Sequence, residues 1–223
     1  MRQKGITERI IERGRLFSEE LGIWLRGGEG ELFKWLLASV LYGKRISEQL
    51  ATRTYRELEE AGVLSPQKVL EAGWDRLVEL LDAGGYVRYD FSTATRLLAL
   101  SKTLQEMGGL EAIHRRAENS RDLEGLLMEL PGVGPTTANI FLRELRNVWR
   151  KADPEPSRLV TDAARNLGVD LRELNRKTPR FVHLECGLLR IGKDFCKRNK
   201  CRECAFGTHC RKRDKAPEAG TGT

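Results

Sequence analysis

Apolar residues recur along most of this chain at intervals of three, four or seven, which is the spacing of one face of an α-helix. At the N-terminus this spacing links Ile6, Ile10, Phe17, Leu21 and Trp24. A stretch that is apolar on nearly every side predicts a buried helix over residues 32–41. Further helices are predicted over residues 47–60, 66–81, 93–107, 121–130, 135–149, 157–167 and 179–191. The one strand-like run, residues 86–91, is too short to build a sheet, so we expect an all-α fold.

Several of these segments carry end signals. Ser65 and Thr178 each precede a proline, a pair that is typical of an N-cap and the first helical residue. Gly192 is expected to stop the helix over residues 179–191. The run Asp-Pro-Glu-Pro at 153–156 interrupts the helical pattern, because each proline disfavours helical backbone at the residue before it. Residues 213–223 are small and polar, and we expect a disordered tail there.

Charge and composition narrow the class of protein. The 223 residues include 39 Lys and Arg against 32 Asp and Glu, a net charge of +7, which favours a polyanionic partner such as nucleic acid. No stretch approaches the roughly 18 consecutive apolar residues of a membrane span. The first residues, Met-Arg-Gln-Lys, lead into charged residues and lack the apolar segment of a secretion signal. We therefore expect an intracellular protein of the cytoplasm or nucleoid, by default a monomer, without disulfides.

The segment Leu-Pro-Gly-Val-Gly-Pro-Thr-Thr-Ala-Asn at 130–139 lies between two predicted amphipathic helices. Gly132 and Gly134 permit a tight turn and a close backbone approach to another surface, and Pro135 suits the first turn of the next helix. The N–H groups that open this helix have no partners within it, so they are suited to bind a phosphate. An ordinary helix–helix turn explains the same residues equally well.

Four cysteines lie within fifteen residues near the C-terminus, spaced C-x4-C-x2-C-x5-C: Cys196, Cys201, Cys204 and Cys210. Four thiols gathered this closely in an intracellular chain indicate a metal site. Zinc is one candidate, although only Cys201 and Cys204 have the spacing of a zinc knuckle. The first three cysteines also match plant-type [2Fe–2S] spacing. His209 is a possible replacement ligand, whereas Cys186 lies in an apolar helical segment and is expected to be buried.

The hairpin segment at 130–139, an aspartate at 153 and the cysteine cluster occur in the order of the endonuclease III superfamily of helix-hairpin-helix DNA glycosylases, and the chain resembles that family over residues 30–212. The family carries a [4Fe–4S] cluster on C-x6-C-x2-C-x5-C. This chain matches the last two gaps and is two residues shorter in the first. The resemblance thus implies a [4Fe–4S] cofactor, with zinc as the alternative.

The same resemblance implies a two-lobed molecule. One lobe would be a helical bundle over residues 31–150 that ends in the helix-hairpin-helix at 121–149. The other would join residues 1–30 to residues 151–212 and hold the cluster. Double-stranded DNA with a damaged or mismatched base would lie in the groove between the lobes.

By resemblance, Asp153 is the catalytic carboxylate. Cleavage of an N-glycosidic bond builds positive charge on the sugar, and a carboxylate beneath the ring stabilises that charge and can deprotonate a water. Asp162 is the rival candidate. Arg158 and Leu159 after Asp153 resemble the Arg-aliphatic pair that follows the family's aspartate, which favours Asp153.

Thr136 is the most informative departure from the family pattern. Bifunctional members have a lysine at this hairpin position, whose amine forms a Schiff base with the sugar before strand cleavage, and threonine cannot form an imine. We therefore expect a monofunctional glycosylase that uses water. The alternatives are a bifunctional glycosylase and abasic-site lyase that uses another lysine, such as Lys151, and a non-catalytic DNA-binding iron–sulfur module.

The family pattern also indicates DNA contacts and a base pocket. Expected DNA contacts are Gly132, Val133, Gly134, Thr136 and Thr137 in the hairpin, Lys44 and Arg45 after the buried helix, and Lys197 and Arg198 in the cysteine loop. Lys44 or Arg45 would enter the gap left by a flipped base. Candidate pocket residues are Tyr42, Tyr86 and Tyr89. No acidic residue lies between Lys34 and Glu48, which argues against adenine excision, and the sequence does not identify the lesion.

Overall fold

The computed structural model describes residues 5–212, and all regular secondary structure in that range is helical. The described residues form eleven α-helices: α1 (Ile6–Glu12), α2 (Phe17–Glu20), α3 (Glu29–Tyr42), α4 (Glu48–Glu60), α5 (Pro66–Ala83), α6 (Asp90–Glu106), α7 (Leu110–Arg116), α8 (Ser120–Met128), α9 (Pro135–Glu144), α10 (Arg158–Leu167) and α11 (Pro179–Ile191). A π-helical turn, Gly192–Cys196, follows α11 directly. The all-α prediction is confirmed. The predicted tail at 213–223 lies outside the described residues.

The observed helix ends show which of the local sequence signals predict a helix end correctly. The hydroxyls of Ser65 and Thr178 accept hydrogen bonds from the N–H groups of Lys68 and Phe181, each at 3.2 Å, so both predicted N-caps are confirmed. Gly192 does not stop the last helix. Its backbone stays helical (φ −58°, ψ −44°), and the chain continues into the π-helical turn.

Other segments depart from the apolar periodicity. Residues 6–24 form α1 and α2 rather than one helix, and Trp24 is 67% exposed. α9 ends at Glu144 rather than 149, because the next residues form a turn in which the N–H groups of Val148 and Trp149 bond to the Leu145 carbonyl. α7 was not predicted, since its seven residues are too few to show a clear period.

The chain divides into two compact units. The first, here the hairpin unit, is Ser18–Pro154, and the second, the cysteine unit, joins Met1–Phe17 to Glu155–Thr223. These boundaries differ from the predicted ones at residues 30 and 150. The reason is local: the N–H of Ser18 donates to the buried Glu144 carboxylate at 3.0 Å. At the other boundary, the fully buried Arg146 donates to the carbonyl of Pro154 at 2.6 Å.

The core of the hairpin unit forms around α3, whose residues 35–41 are all buried. α3 packs against α4, α7 and α9, α5 packs on α6, and α8 packs on α9. The indole N–H of Trp35 donates to the Phe141 carbonyl at 3.0 Å, which fixes α3 against the second helix of the hairpin.

The cysteine unit has a separate apolar core between α1, α10 and α11. Ile10, Val160, Leu188 and Phe206 are at most 2% exposed there. Glycines allow the close approach of the helices: a Cβ atom at Gly187 would lie 2.5 Å from the Ile10 carbonyl oxygen. Three cysteines of the loop pack against the same core, namely Cys196, Cys204 and Cys210.

Within residues 5–212, none of the helices combines the length and the apolar character that crossing a membrane requires.

Candidate functional site

The predicted hairpin forms from α8, a glycine turn and α9. Gly132 has φ +85°, a conformation that favours glycine, and Pro135 occupies the first turn of α9. Gly134 is the N-cap and supplies no side-chain hydrogen bond, so the first N–H groups of α9 are not capped by a side chain. Thr136 is exposed, whereas Val133 and Thr137 are each only 5% exposed. Of the predicted hairpin contacts, Thr136 is therefore exposed, and Gly132 and Gly134 are partly exposed.

The loop after α3 lies against this hairpin. A Cβ atom at Gly43 would lie 2.5 Å from the Thr137 hydroxyl oxygen, so the backbone of α3 ends in contact with the first turn of α9. The next residue, Lys44, is half-buried, and Arg45 is exposed. Burial lowers the pKa of Lys44, and the charge of Arg96 lowers it further. The structure thus brings the predicted Lys44 and Arg45 beside the predicted hairpin.

Two of the tyrosines proposed for a base pocket have other contacts. Tyr86 is 1% exposed and donates its hydroxyl to the Leu41 carbonyl at 3.2 Å, so its ring packs in the core. The Tyr42 hydroxyl is hydrogen bonded to the Thr52 hydroxyl at 2.8 Å, and burial raises the pKa of Tyr42 to about 12. Tyr89 is partly exposed, with its ring 5.9 Å from that of Tyr86 and Arg88 over its face. Of the three, Tyr89 is the ring best placed to meet a ligand.

Asp153 belongs to the hairpin unit and lies in a non-helical segment, four residues before Ser157, the N-cap of α10. Its side chain is 26% exposed and forms an ion pair with Arg146. The Ser120 hydroxyl, at the start of α8, donates to the Asp153 backbone carbonyl at 3.1 Å. The backbone of Asp153 is therefore held by α8 and its carboxylate by a guanidinium, while part of the side chain remains open to solvent.

Arg146 is the site residue that sequence reasoning missed. Its side chain is 0% exposed, and its second donated bond goes to the Pro154 carbonyl. A buried guanidinium requires a carboxylate or carbonyl partner, because an unpaired charge in the core is costly. The available signal was an arginine between the apolar residues Leu145 and Trp149.

The rival carboxylate and the substitute amine are both engaged elsewhere. Asp162 lies on the surface of α10 with Arg158 at 3.5 Å and Arg165 at 3.3 Å. The Lys151 ammonium donates to the backbone carbonyls at the end of α7, including that of His114 at 2.8 Å. Lys151 thus acts as a C-terminal cap of α7, where a cation offsets the helix dipole.

The four loop cysteines share the cysteine unit. Cys201 is 8% exposed and the others are partly buried. Burial raises the pKa of Cys196 and of Cys204, and the charges of Cys201 and Cys210 raise both pKa values further.

This donor set suits a thiolate-bound metal cluster, although in the described range no three Cys, His, Asp or Glu side chains converge closely enough to hold a metal ion. His209 is exposed and contacts Thr208, and Cys186 is fully buried in α11. The exposed Lys197 and Arg198 lie directly after the π-helical turn.

A cavity of about 330 Å³ opens elsewhere in the hairpin unit, lined by Leu25, Arg26, His114 and Trp149 among others. The rings of His114 and Trp149 stack at 4.5 Å in it. None of the predicted site residues lines this cavity.

No family model and no curated protein matches this chain. Among solved structures, it is similar to a trapped endonuclease III–DNA covalent intermediate, the estranged-adenine complex. The match has 18% sequence identity and a TM-score of 0.52, and covers 95% of this chain and 99% of that one. The chain therefore has an endonuclease III-like fold.

Proposed function

We propose that this chain, folded like endonuclease III, is a DNA glycosylase that flips a damaged or mismatched base and hydrolyses its N-glycosidic bond with Asp153. One observation carries the proposal: a partly exposed carboxylate is held by the buried Arg146, and the backbone of the same residue is hydrogen bonded to the first helix of a helix-hairpin-helix. The net charge of +7 and the uncapped start of α9 support DNA as the partner.

Asp153 has two tasks in this mechanism. As the bond between the base and C1′ breaks, positive charge grows on the sugar, and the carboxylate stabilises it electrostatically. The base leaves with the bonding electron pair and takes up a proton from solvent, while a water molecule adds to C1′ and gives its proton to the carboxylate, so an abasic site remains. Arg146 positions the carboxylate and is itself too buried to touch the sugar.

Two features of the chain favour a monofunctional glycosylase. Thr136 stands at the hairpin position where a Schiff-base lysine would be needed, and its hydroxyl cannot form an imine. Lys151 is held by backbone carbonyls of the α7 end, so its amine is directed away from a nucleophilic role. We therefore expect base release without strand cleavage.

We also propose that Cys196, Cys201, Cys204 and Cys210 bind a [4Fe–4S] cluster, with zinc as the alternative. When bound, the cluster would hold the loop together, and no chemical step is assigned to it, because all four ligand positions are thiolates. The exposed Lys197 and Arg198 of this loop are then available for phosphate contacts.

Asp153→Asn tests the proposed catalytic role. Wild type and variant are incubated with duplexes that each contain one lesion, and base release is measured with and without alkali. The wild type should release a base and cut the strand only after alkali, and Asp153→Asn should lower the rate about 100-fold or more. Asp162→Asn is the matched control, since that carboxylate is held by surface ion pairs, and it should retain the activity.

Borohydride separates the alternatives. Covalent trapping on abasic-site DNA would contradict the monofunctional assignment. Equal rates of base release by wild type and Asp153→Asn would show that Asp153 has no catalytic role. If the wild type releases no base from any lesion, the alternative of a non-catalytic DNA-binding module is favoured.

A further inference from the structure

The cavity of about 330 Å³ in the hairpin unit has no role in the site described above. Its apolar lining residues are almost inaccessible: Leu32, Trp149 and Leu25 are 2%, 5% and 8% exposed. The exposed Arg26 and Arg115 line the same cavity. The apolar residues therefore form its floor, and the two cations lie at its mouth. Its volume falls in the lower part of the range for small-molecule sites, about 300–1,000 Å³.

The aromatic part of this floor is held in place before any ligand binds. The rings of His114 and Trp149 stack with their centroids 4.5 Å apart and their planes within 2° of parallel. Phe141 packs edge-on against Trp149 with the ring centroids 5.6 Å apart. A preformed aromatic and aliphatic floor favours a ligand with a flat ring, because little side-chain order has to be gained on binding.

The charged residues of the cavity are of both signs. One N–H of Arg26 donates to the Asn147 carbonyl at 2.7 Å, and this bond uses one of the five donors of a guanidinium. Arg115 lies 3.9 Å from the carboxylate of Glu111, at the outer limit of an ion pair, and Glu111 lines the same cavity. The two guanidinium groups favour an anion such as phosphate, whereas the carboxylate favours hydroxyl or amino donors.

These three kinds of lining residue narrow the ligand to one class. A simple aromatic acid would offer no hydrogen-bond donor to Glu111. A nucleoside monophosphate has a flat base for the apolar floor, sugar hydroxyls for the carboxylate and a phosphate for the guanidinium groups. We infer that this cavity binds a free nucleoside monophosphate, whose phosphate is held by Arg26 and Arg115. The site lies beyond the proposed function and does not depend on it.

Isothermal titration calorimetry of the full chain with AMP tests the inference. AMP should bind saturably at one site per chain. Adenosine and inorganic phosphate should each bind at least about tenfold more weakly, because each lacks one of the two parts that the cavity holds. Arg115→Gln should weaken AMP binding about tenfold, since a charge-assisted contact with the phosphate is lost.

Arg116→Gln is the matched control. Arg116 is the next residue of α7 and is also exposed, and it lies 3.9 Å from the Glu129 carboxylate, but it does not line the cavity. This variant should bind AMP as the wild type does. Asp153→Asn should also bind AMP normally, which separates the cavity from the pocket proposed for a flipped base.

Val148→Phe tests the location of the ligand directly. Val148 is a partly exposed lining residue, so a larger side chain there should fill the cavity and abolish AMP binding. Far-UV circular dichroism shows whether this variant is folded, and if it is not, the comparison of Arg115→Gln with Arg116→Gln decides.

Three results would overturn the inference. They are a wild type that does not bind AMP, equal AMP affinity in Arg115→Gln and Arg116→Gln, and unchanged AMP binding in a folded Val148→Phe. Base release from DNA is measured separately, so none of these results bears on the proposed glycosylase.

Discussion

At the scale of single residues, the position of Asp153 depends on Arg146. The guanidinium has no exposed surface and donates to both the carboxylate and the Pro154 carbonyl. A second buried arginine, Arg143, lies close by with its Nε 4.0 Å from the Glu144 carboxylate. Both arginines are buried, and the ion pair with the Asp153 carboxylate is formed by Arg146.

Arg146→Met should lower both stability and the rate of base release, because it leaves the carboxylate without its positioning group. We expect a loss of about 1–3 kcal/mol in the free energy of unfolding, measured by urea denaturation, and a decrease of about tenfold or more in kcat. Arg146→Lys should recover part of the rate.

A double-mutant cycle with Asp153→Asn distinguishes positioning from general destabilisation. Once the carboxylate is gone, Arg146→Met should cost little further rate. Arg143→Met is the control. It should lower the stability, and adding Asp153→Asn to it should still lower the rate of base release. Additive rate losses for Arg146 and Asp153 would contradict the positioning role.

At the scale of elements, α7 is stabilised by charges at both of its ends. The Glu29 carboxylate accepts hydrogen bonds from the N–H groups of Leu110 at 2.6 Å and Glu111 at 2.9 Å. Lys151 caps the other end. Both charges have the sign that the helix dipole favours, so a helix of seven residues, too short to be stable alone, is held by residues remote in sequence.

Lys151→Met should destabilise the chain by about 1–2 kcal/mol, because the carbonyls at the end of α7 lose a charged donor. The measurement is urea denaturation, with the exposed Lys102→Met as the control. Base release should continue in Lys151→Met. A variant of unchanged stability that loses the activity would instead make this amine a chemical participant.

At the scale of the whole molecule, three cysteines of the loop pack against the apolar core of the cysteine unit, so binding of the proposed cluster would be coupled to packing there. Cys201→Ser should abolish iron binding and lower the thermal midpoint. The measurements are iron and sulfide content, about four iron atoms per chain in the wild type, and a thermal scan. Cys186→Ala, a buried cysteine outside the loop, should retain iron. Stoichiometric zinc with no iron would assign the site to zinc.

The sequence was informative where the determining contacts are local. The N-caps at Ser65 and Thr178 and the glycine turn before Pro135 follow from neighbouring residues alone. α7 depends on Glu29, which is distant in sequence, and the burial of Arg146 depends on the path that the chain takes after α9. The spacing of apolar residues carries no information on either. Tyr86 was assigned to a pocket because aromatic residues suit both pockets and cores, and only the hydroxyl bond to Leu41 distinguishes them.

The division of the chain has a consequence for its biosynthesis. Ser18–Pro154 is one uninterrupted stretch, so every residue of this unit has been translated before the cysteine segment begins. α1 packs against α11, which is translated after the whole of this stretch. The nascent N-terminal helix must therefore wait, with Ile10 unburied, until α11 is synthesised.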